Sequence, residues 1–377
     1  MRVLRGRLVT GKVEYGQVEL DESKIVYAGP VRPSIGDVTD YGDYYIAPGF
    51  IDIHIHGLAG HDAMDRDTES IKMISKRLAA KGVTGFLPTL QTAPIGEIID
   101  ALKRIKTVMG TEDGVRILGV HLEGPYINPE RIGAQQEYVQ KPTRNELQKV
   151  LDAGGDALRI VTLAPEVDGG LEAVKYLREN GIVVSAGHTD ATYDEICEAF
   201  KAGVSLIGHL WNGMRGIHQR EPGVVGASLG SDVAVELIAD LHHIHPAILK
   251  LTYRLKGPEG IALISDSIKP AGLPEGEHVL DGRIYIVQDG LVKLPSGVIA
   301  GSSIGLDDAV RNMVNHIGVS LPEAVQMASS TPARVLGLDS KGCLHPRFDA
   351  DLVVLDDSLE VVETIVEGKT MYRRGEP

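Results

Sequence analysis

Between residues 48 and 337 the chain repeats one pattern eight times: a short run that is apolar throughout, then a segment with helical spacing. The runs are GFIDIHIHG, VTGFLPTL, VRILGVHLEGP, ALRIVTLAPE, IVVSAGHTD, VSLIGHLWN, VAVELIADLHH and IALISDS. Segments such as TESIKMISKRLAAKG, IGEIIDALKRIKTVMG and GLEAVKYLRENG follow them, the stretch after the sixth run being poorly helical. Strands without polar alternation are buried on both faces, as in a parallel sheet covered by helices. Eight such units predict a (β/α)8, TIM-like barrel over residues 48–337.

The ends have another texture. Residues 1–47 carry short alternating runs (RVLRGRLVT, GQVEL, KIVYAGP) separated by glycine and proline, and the pattern returns in ADLVVLDDSLEVVETIVEGKTMYRR. Period-2 alternation with tight turns is β-structure. We expect residues 1–47 and 338–377 to meet in one small β-sandwich-like domain, with the barrel inserted between them. Within the eighth unit, EHVLDGRIYIVQDGLVKLPSGVIAGS breaks the pattern, and Asp289-Gly290 predicts a β-hairpin insertion near 278–300.

Composition narrows the function classes. With 52 acidic against 38 basic residues the net charge is −14, which argues against nucleic acid or an anionic membrane as partner. An anionic ligand would therefore need a local cationic pocket. Cys197 and Cys343, far apart and in no ligand-like spacing, predict no disulfide framework. The opening MRVLRGRLVT has basic residues but no apolar stretch of a signal peptide, and no run of 18 apolar residues occurs. A cytoplasmic protein without membrane spans is the expectation.

Barrel enzymes carry their chemistry at the carboxyl ends of the strands. Polar groups placed there are His54 and His56 on the first strand, Glu123 on the third, His188 on the fifth, His209 on the sixth and Asp266 on the eighth. His54 and His56, two apart on a strand, face the same way. Taken singly, His188, His209 or His121 is more often a hydrogen-bonded structural histidine than a ligand. Five such groups on four strands, with Asp266 on a fifth, point instead to a divalent transition metal such as zinc, iron, manganese or cobalt. Three protein ligands would leave a position for a water of lowered pKa, and an unliganded Asp266 could shuttle its proton. His121 faces the same side as Glu123 and reads as a partner behind the ligands. Trp211 and the cluster His242, His243 and His245 decide nothing alone.

The order PGFIDIHIHG, HLEGPYINPERIGA, SAGHTDATYDE, GHLWNGM…REPG, IADLHH, LISDS and IAGSS resembles the N-acetylglucosamine-6-phosphate deacetylases of the amidohydrolase superfamily, from residue 1 to the C-terminal β-segment. The resemblance implies hydrolysis of the acetamide of N-acetylglucosamine 6-phosphate to glucosamine 6-phosphate and acetate. It implies that Glu123, His188 and His209 hold the primary metal ion, and that His54 and His56 stand where some members hold a second one. Asp266 matches the catalytic carboxylate. Asn212 and Gly213 match a pair whose backbone amides contact the phosphate, and His243 matches a substrate-contacting histidine. Ile299, Ala300 and Gly301 match a segment lining the sugar site. Arg220 matches an arginine that reaches the phosphate from the neighbouring subunit of a homodimer.

The chain departs from the family at two places. Gly133-Ala134-Gln135 stands where the family usually has Gly-Ala-His, whose histidine helps polarise the acetyl carbonyl; Gln135 can donate there but carries no charge, and Gln136 is an alternative donor. Leu241 stands where glycine is common. One rival is therefore hydrolysis of another N-acyl amino sugar, its phosphate or an N-acyl amino acid; another is a sugar-phosphate-binding protein without turnover. Cyclic-amide hydrolases, which typically use a carboxylated lysine between two metals, rank low because no lysine holds a strand-end position.

Overall fold

The computed structural model describes residues 1–376. Eight parallel strands follow one another in sequence order around the barrel: Phe50–Ile55, Val83–Leu90, Val120–Glu123, Leu158–Leu163, Val183–Ala186, Val204–Ile207, Ala234–Ile238 and Ile261–Ile264. Between the eighth and first strands closure is made just past the strand end. Asp266 N–H donates to His54 O (2.9 Å), and the N–H groups of His56 and Gly57 both donate to Ser267 O (2.9 and 3.0 Å). The third apolar run is broken: Arg116–Ile117 pairs with the second strand, and Gly119, at φ +147°, makes the step before pairing with the second strand resumes at His121.

Each strand is buried on both faces because neighbouring residues point opposite ways. Ile51, Leu87, Ile160, Leu206, Ile238 and Ile264 form an inner cluster, joined by Ala333 of the helix Ser330–Val335 and by Leu336, which caps it. Their neighbours Phe50, Phe86, Val161 and Leu237 pack outward in the main core. That core takes up the apolar faces of the surrounding helices, among them Ile95–Val108 through Ile98, Leu102 and Ile105. The run after the sixth strand yields only the short helix Gly223–Leu229.

Strands from both chain ends share one seven-stranded sheet, ordered Lys369–Arg373, Val361–Val366, Leu352–Leu355, Asp37–Pro48, Arg2–Val9, Val13–Asp21, Lys24–Gly29. Alternation along Leu352–Leu355 divides its faces. Leu352 and Val354 join Leu4, Val18 and Ile25 in a separate core, whereas Val353 and Leu355 pack into the main core of the barrel. On this basis we propose the division into 1–47 plus 338–377 and 48–337.

The insertion is larger than a hairpin. Gly276–Leu280, Arg283–Gln288, Leu291–Lys293 and Ile299–Ser302 form a four-stranded antiparallel meander. Two of its turns, Asp281-Gly282 and Asp289-Gly290, hold both central residues at positive φ (50° and 76°, 51° and 77°), which matches the twist of the flanking strands. Among the described residues no helix is long and apolar enough to cross a membrane.

Candidate active site

The strand-end groups converge. Glu123 closes the third strand, while His188, His209 and Asp266 each lie two residues beyond the last residue of theirs. All three adopt left-handed backbone conformations, with φ of 46°, 28° and 47°. Such conformations cost non-glycine residues about 1–2 kcal/mol and persist only where surrounding bonds impose them. Here Asn128 N–H donates to His188 O (2.8 Å), Asn212 N–H to His209 O (3.0 Å) and Ser302 N–H to Asp266 O (3.0 Å).

Glu123, only 1% exposed, is the centre. Its Oε1 lies 2.8 Å from His209 Nε2, 3.3 Å from His188 Nε2 and 3.4 Å from His54 Nε2, and its Oε2 lies 3.2 Å from His56 Nε2. Asp266 Oδ1 faces His56 Nε2 at 3.6 Å and His54 Nε2 at 3.7 Å. The far nitrogens are held from behind. Nδ1 of His56 is on Thr89 O (3.0 Å), that of His188 on Arg131 O (2.8 Å) and that of His209 on Asn212 O (3.1 Å). A carbonyl only accepts, so Nδ1 carries the proton and Nε2 presents a lone pair to the centre.

Lone pairs crowded this way fit a cation. The Nε2 atoms of His188 and His209 are 3.2 Å apart, and the buried His54 Nε2 has no hydrogen-bond partner. The field points the same way. Burial opposes charge on His54, but Glu236 and Glu123 outweigh it and carry the imidazole well above its ordinary pKa. Burial would raise Glu123, yet His54 and His188 pull its carboxyl well below the usual range. Two donor sets of three, Glu123–His188–His209 and His54–His56–Asp266, each keep their ligand atoms within 4.8 Å of one another. Imidazole and carboxylate in these sets suit a divalent transition metal. His121 is spent elsewhere: Nδ1 lies on Ile53 O (3.0 Å), Nε2 accepts from Thr162 Oγ1 (2.7 Å), and burial beside His54 lowers its pKa to about 4.

Above this cluster opens a cleft of about 420 Å³. Ala134, Gln135, Asn212, Gly213, His243, Ile299, Ala300 and Gly301 all line it, as do Glu123 and Asp266. Arg220 does not: it is exposed on the turn between His218 and Glu221, outside the cleft. The amide of Asn212 is already committed to His209 O, whereas that of Gly213 has no acceptor among the described residues. Gln135 faces inward, but its side-chain NH2 donates to Glu123 Oε2. His243 is oriented through Nδ1 by Asp240 Oδ2 (2.6 Å), and Asp240 Oδ1 also accepts the N–H of His242 and of His243. Leu241, between them, takes the left-handed φ of +69° that glycine adopts without strain.

Sequence reasoning missed two groups. Glu236, fully buried in the seventh strand, accepts from His54 Nδ1 (2.8 Å) and from His209 N–H (3.1 Å) through one oxygen. Its signal was a lone acid inside the apolar run VAVELIA. Arg283, on the meander, lines the cleft and donates from Nη2 to Ala134 O (3.0 Å).

A parallel eight-stranded barrel with imidazoles and carboxylates gathered at the carboxyl ends of its strands defines a metal-dependent hydrolase. Residues 45–371 match the Amidohydrolase family, and the chain belongs to it. It is 39% identical to an N-acetylgalactosamine-6-phosphate deacetylase of Escherichia coli O157:H7, over 97% of this chain and 98% of that one. It is 37% identical to an N-acetylglucosamine-6-phosphate deacetylase of Lysinibacillus sphaericus, over 96% and 94%. A mutant N-acetyl-D-glucosamine-6-phosphate deacetylase from Mycobacterium smegmatis, solved in complex with N-acetyl-D-glucosamine-6-phosphate, is similar in structure at a TM-score of 0.93 and 33% identity, over 98% and 99% of the two chains.

Proposed function

We propose that this amidohydrolase removes the acetyl group of N-acetylglucosamine 6-phosphate, releasing glucosamine 6-phosphate and acetate. The observation that carries the reading is Asp266 standing at the cleft floor across from Glu123, His188 and His209, with Asn212-Gly213 in the same lining. Glu123, His188 and His209 would hold one divalent ion, and His54 and His56 with Asp266 could take part in holding a second. A bound ion would act as a Lewis acid and lower the pKa of a water. Asp266 accepts the proton that the water gives up as it adds to the acyl carbon. It then delivers that proton to the amine nitrogen as the C–N bond breaks. The carbonyls behind His56, His188 and His209 hold the imidazoles in register throughout. The amide of Gly213, and Arg220 from a second copy of the chain in a homodimer, bind the phosphate. The acidic composition and the two free cysteines, Cys197 and Cys343, support a cytoplasmic location.

The galactosamine epimer is a second reading, favoured by the relative at 39% identity. Acetate release should be measured from both 6-phosphates and from unphosphorylated N-acetylglucosamine, with protein reconstituted in turn with zinc, iron and manganese. Turnover of N-acetylglucosamine 6-phosphate well above the other two supports the proposal. Preference for the galactosamine ester selects the epimer. No release from any of them, with metal bound, overturns both.

A further inference from the structure

The two oxygens of Glu123 have different surroundings. Oε1 faces His209, His188 and His54 at 2.8, 3.3 and 3.4 Å. Oε2 faces His56 Nε2 at 3.2 Å and receives a hydrogen bond from Gln135 Nε2. The amide of Gln135 can sit only one way round. Its Oε1 accepts the N–H of Thr92 (2.9 Å), and since a backbone N–H is a donor only, the NH2 end must face the carboxylate. The loop beneath is pinned as well: Gln135 N–H donates to Ile132 O (3.2 Å), and Arg283 on the meander holds Ala134 O (3.0 Å).

From this geometry we propose that Gln135 is a positioning residue for Glu123, locking the carboxylate so that Oε1 is the oxygen offered to a metal ion. The proposal rests on the metal-site reading above. It differs from the role that the resemblance implies at this position, where the side chain donates to the substrate's acyl oxygen. A neutral donor on Oε2 stops the carboxylate rotating without adding a positive charge that would repel the ion. Hydrogen-bond partners behind a ligand typically set metal affinity by about 10–100-fold. A histidine here, once protonated, would oppose the ion it helps to seat.

The test separates affinity from turnover. Gln135→Met keeps the side-chain length without a donor, and Gln135→Asn keeps a donor one methylene short. Zinc dissociation constants are measured by chelator competition without substrate, alongside kcat and KM at saturating zinc and the thermal midpoint of each metal-free protein. The expected result is zinc affinity weakened about 10–100-fold in the methionine variant and less in the asparagine one, with kcat of the zinc-saturated proteins within about tenfold of wild type. Unchanged zinc affinity with kcat lower by about 10²–10³ would assign Gln135 to the acyl oxygen and overturn the proposal. No change in either also overturns it. If the methionine variant does not fold, the asparagine variant carries the same comparison. Wild-type protein that takes up no zinc overturns the metal-site reading first, and the role of Gln135 with it.

Discussion

Glu236 offers the sharpest test of how the site is assembled. It has no place in the cleft lining, yet its Oε2 is the acceptor for both His54 Nδ1–H (2.8 Å) and the backbone N–H of His209 (3.1 Å). All three groups are buried, with His54 and Glu236 wholly so. Glu236→Ala strips two buried donors of their acceptor, at about 1–3 kcal/mol each, or ~2–6 kcal/mol together. Relief of the buried carboxylate's own desolvation offsets part of this, so a loss of ~2–3 kcal/mol is expected. Glu236→Gln is a different perturbation. Its amide oxygen can replace Oε2 in both bonds, while the NH2 replaces Oε1, which has no partner already. That variant loses charge and few bonds, so its stability should fall by less than ~1.5 kcal/mol. Both variants leave His54 less basic, so both should bind zinc about 10–100-fold more weakly. Urea unfolding with chelator present gives the stabilities, and chelator competition the affinities. Equal destabilisation by alanine and glutamine, or an alanine variant within about 0.5 kcal/mol of wild type, would refute the account of Glu236 as a shared acceptor.

Three further outcomes are expected. Asp266→Asn should bind the ion held by Glu123, His188 and His209, and substrate, much as wild type does and lose about 10²–10⁴ in kcat, the usual contribution of a proton shuttle; near-wild-type turnover would remove Asp266 from the mechanism. Arg220, exposed and outside the cleft of its own chain, is proposed to act from a second copy; Arg220→Ala should therefore raise KM for the 6-phosphate about 10–100-fold and leave the unphosphorylated sugar unaffected, and sedimentation should show a dimer. Burial raises Asp307 from 3.8 to about 6, more than Lys81 offsets. The folded state therefore keeps a proton that the unfolded chain releases over that interval, and stability falls as pH rises through it. Asp307→Asn should be more stable than wild type at pH 7 by ~1–3 kcal/mol, with the difference vanishing near ~pH 4; a gain that persists at low pH would contradict the assignment.

The barrel was legible because burial on both faces leaves a mark that needs no partner to be read: Phe86 and Leu87 must both be apolar when one packs on helices and the other on the barrel interior. The metal-site candidates were legible for a related reason. A histidine or carboxylate at the end of an apolar strand has few explanations, and His54, His56, Glu123, His188, His209 and Asp266 all occupy such ends. The size of the insertion was missed: Asp281-Gly282 carries the same turn signal as Asp289-Gly290, but the second turn alone predicts only a hairpin.

What the chain could not declare by pattern is which side chains share an atom. Glu236 and His54 are 182 positions apart, and only the circular order of the barrel strands brings the seventh strand's acid behind the first strand's imidazole. Gln135 looked like a donor to substrate because its position in the motif suggested it. The backbone of Thr92, 43 positions earlier, decides instead which way its amide points. Sequence alone determined the strand periodicity and the chemistry available at the strand ends, because both depend on residue type and local spacing. Tertiary structure decided the protonated nitrogens, the shared acceptors and the exclusion of Arg220 from its own cleft, because hydrogen-bond partners depend on distances that closure of the chain sets.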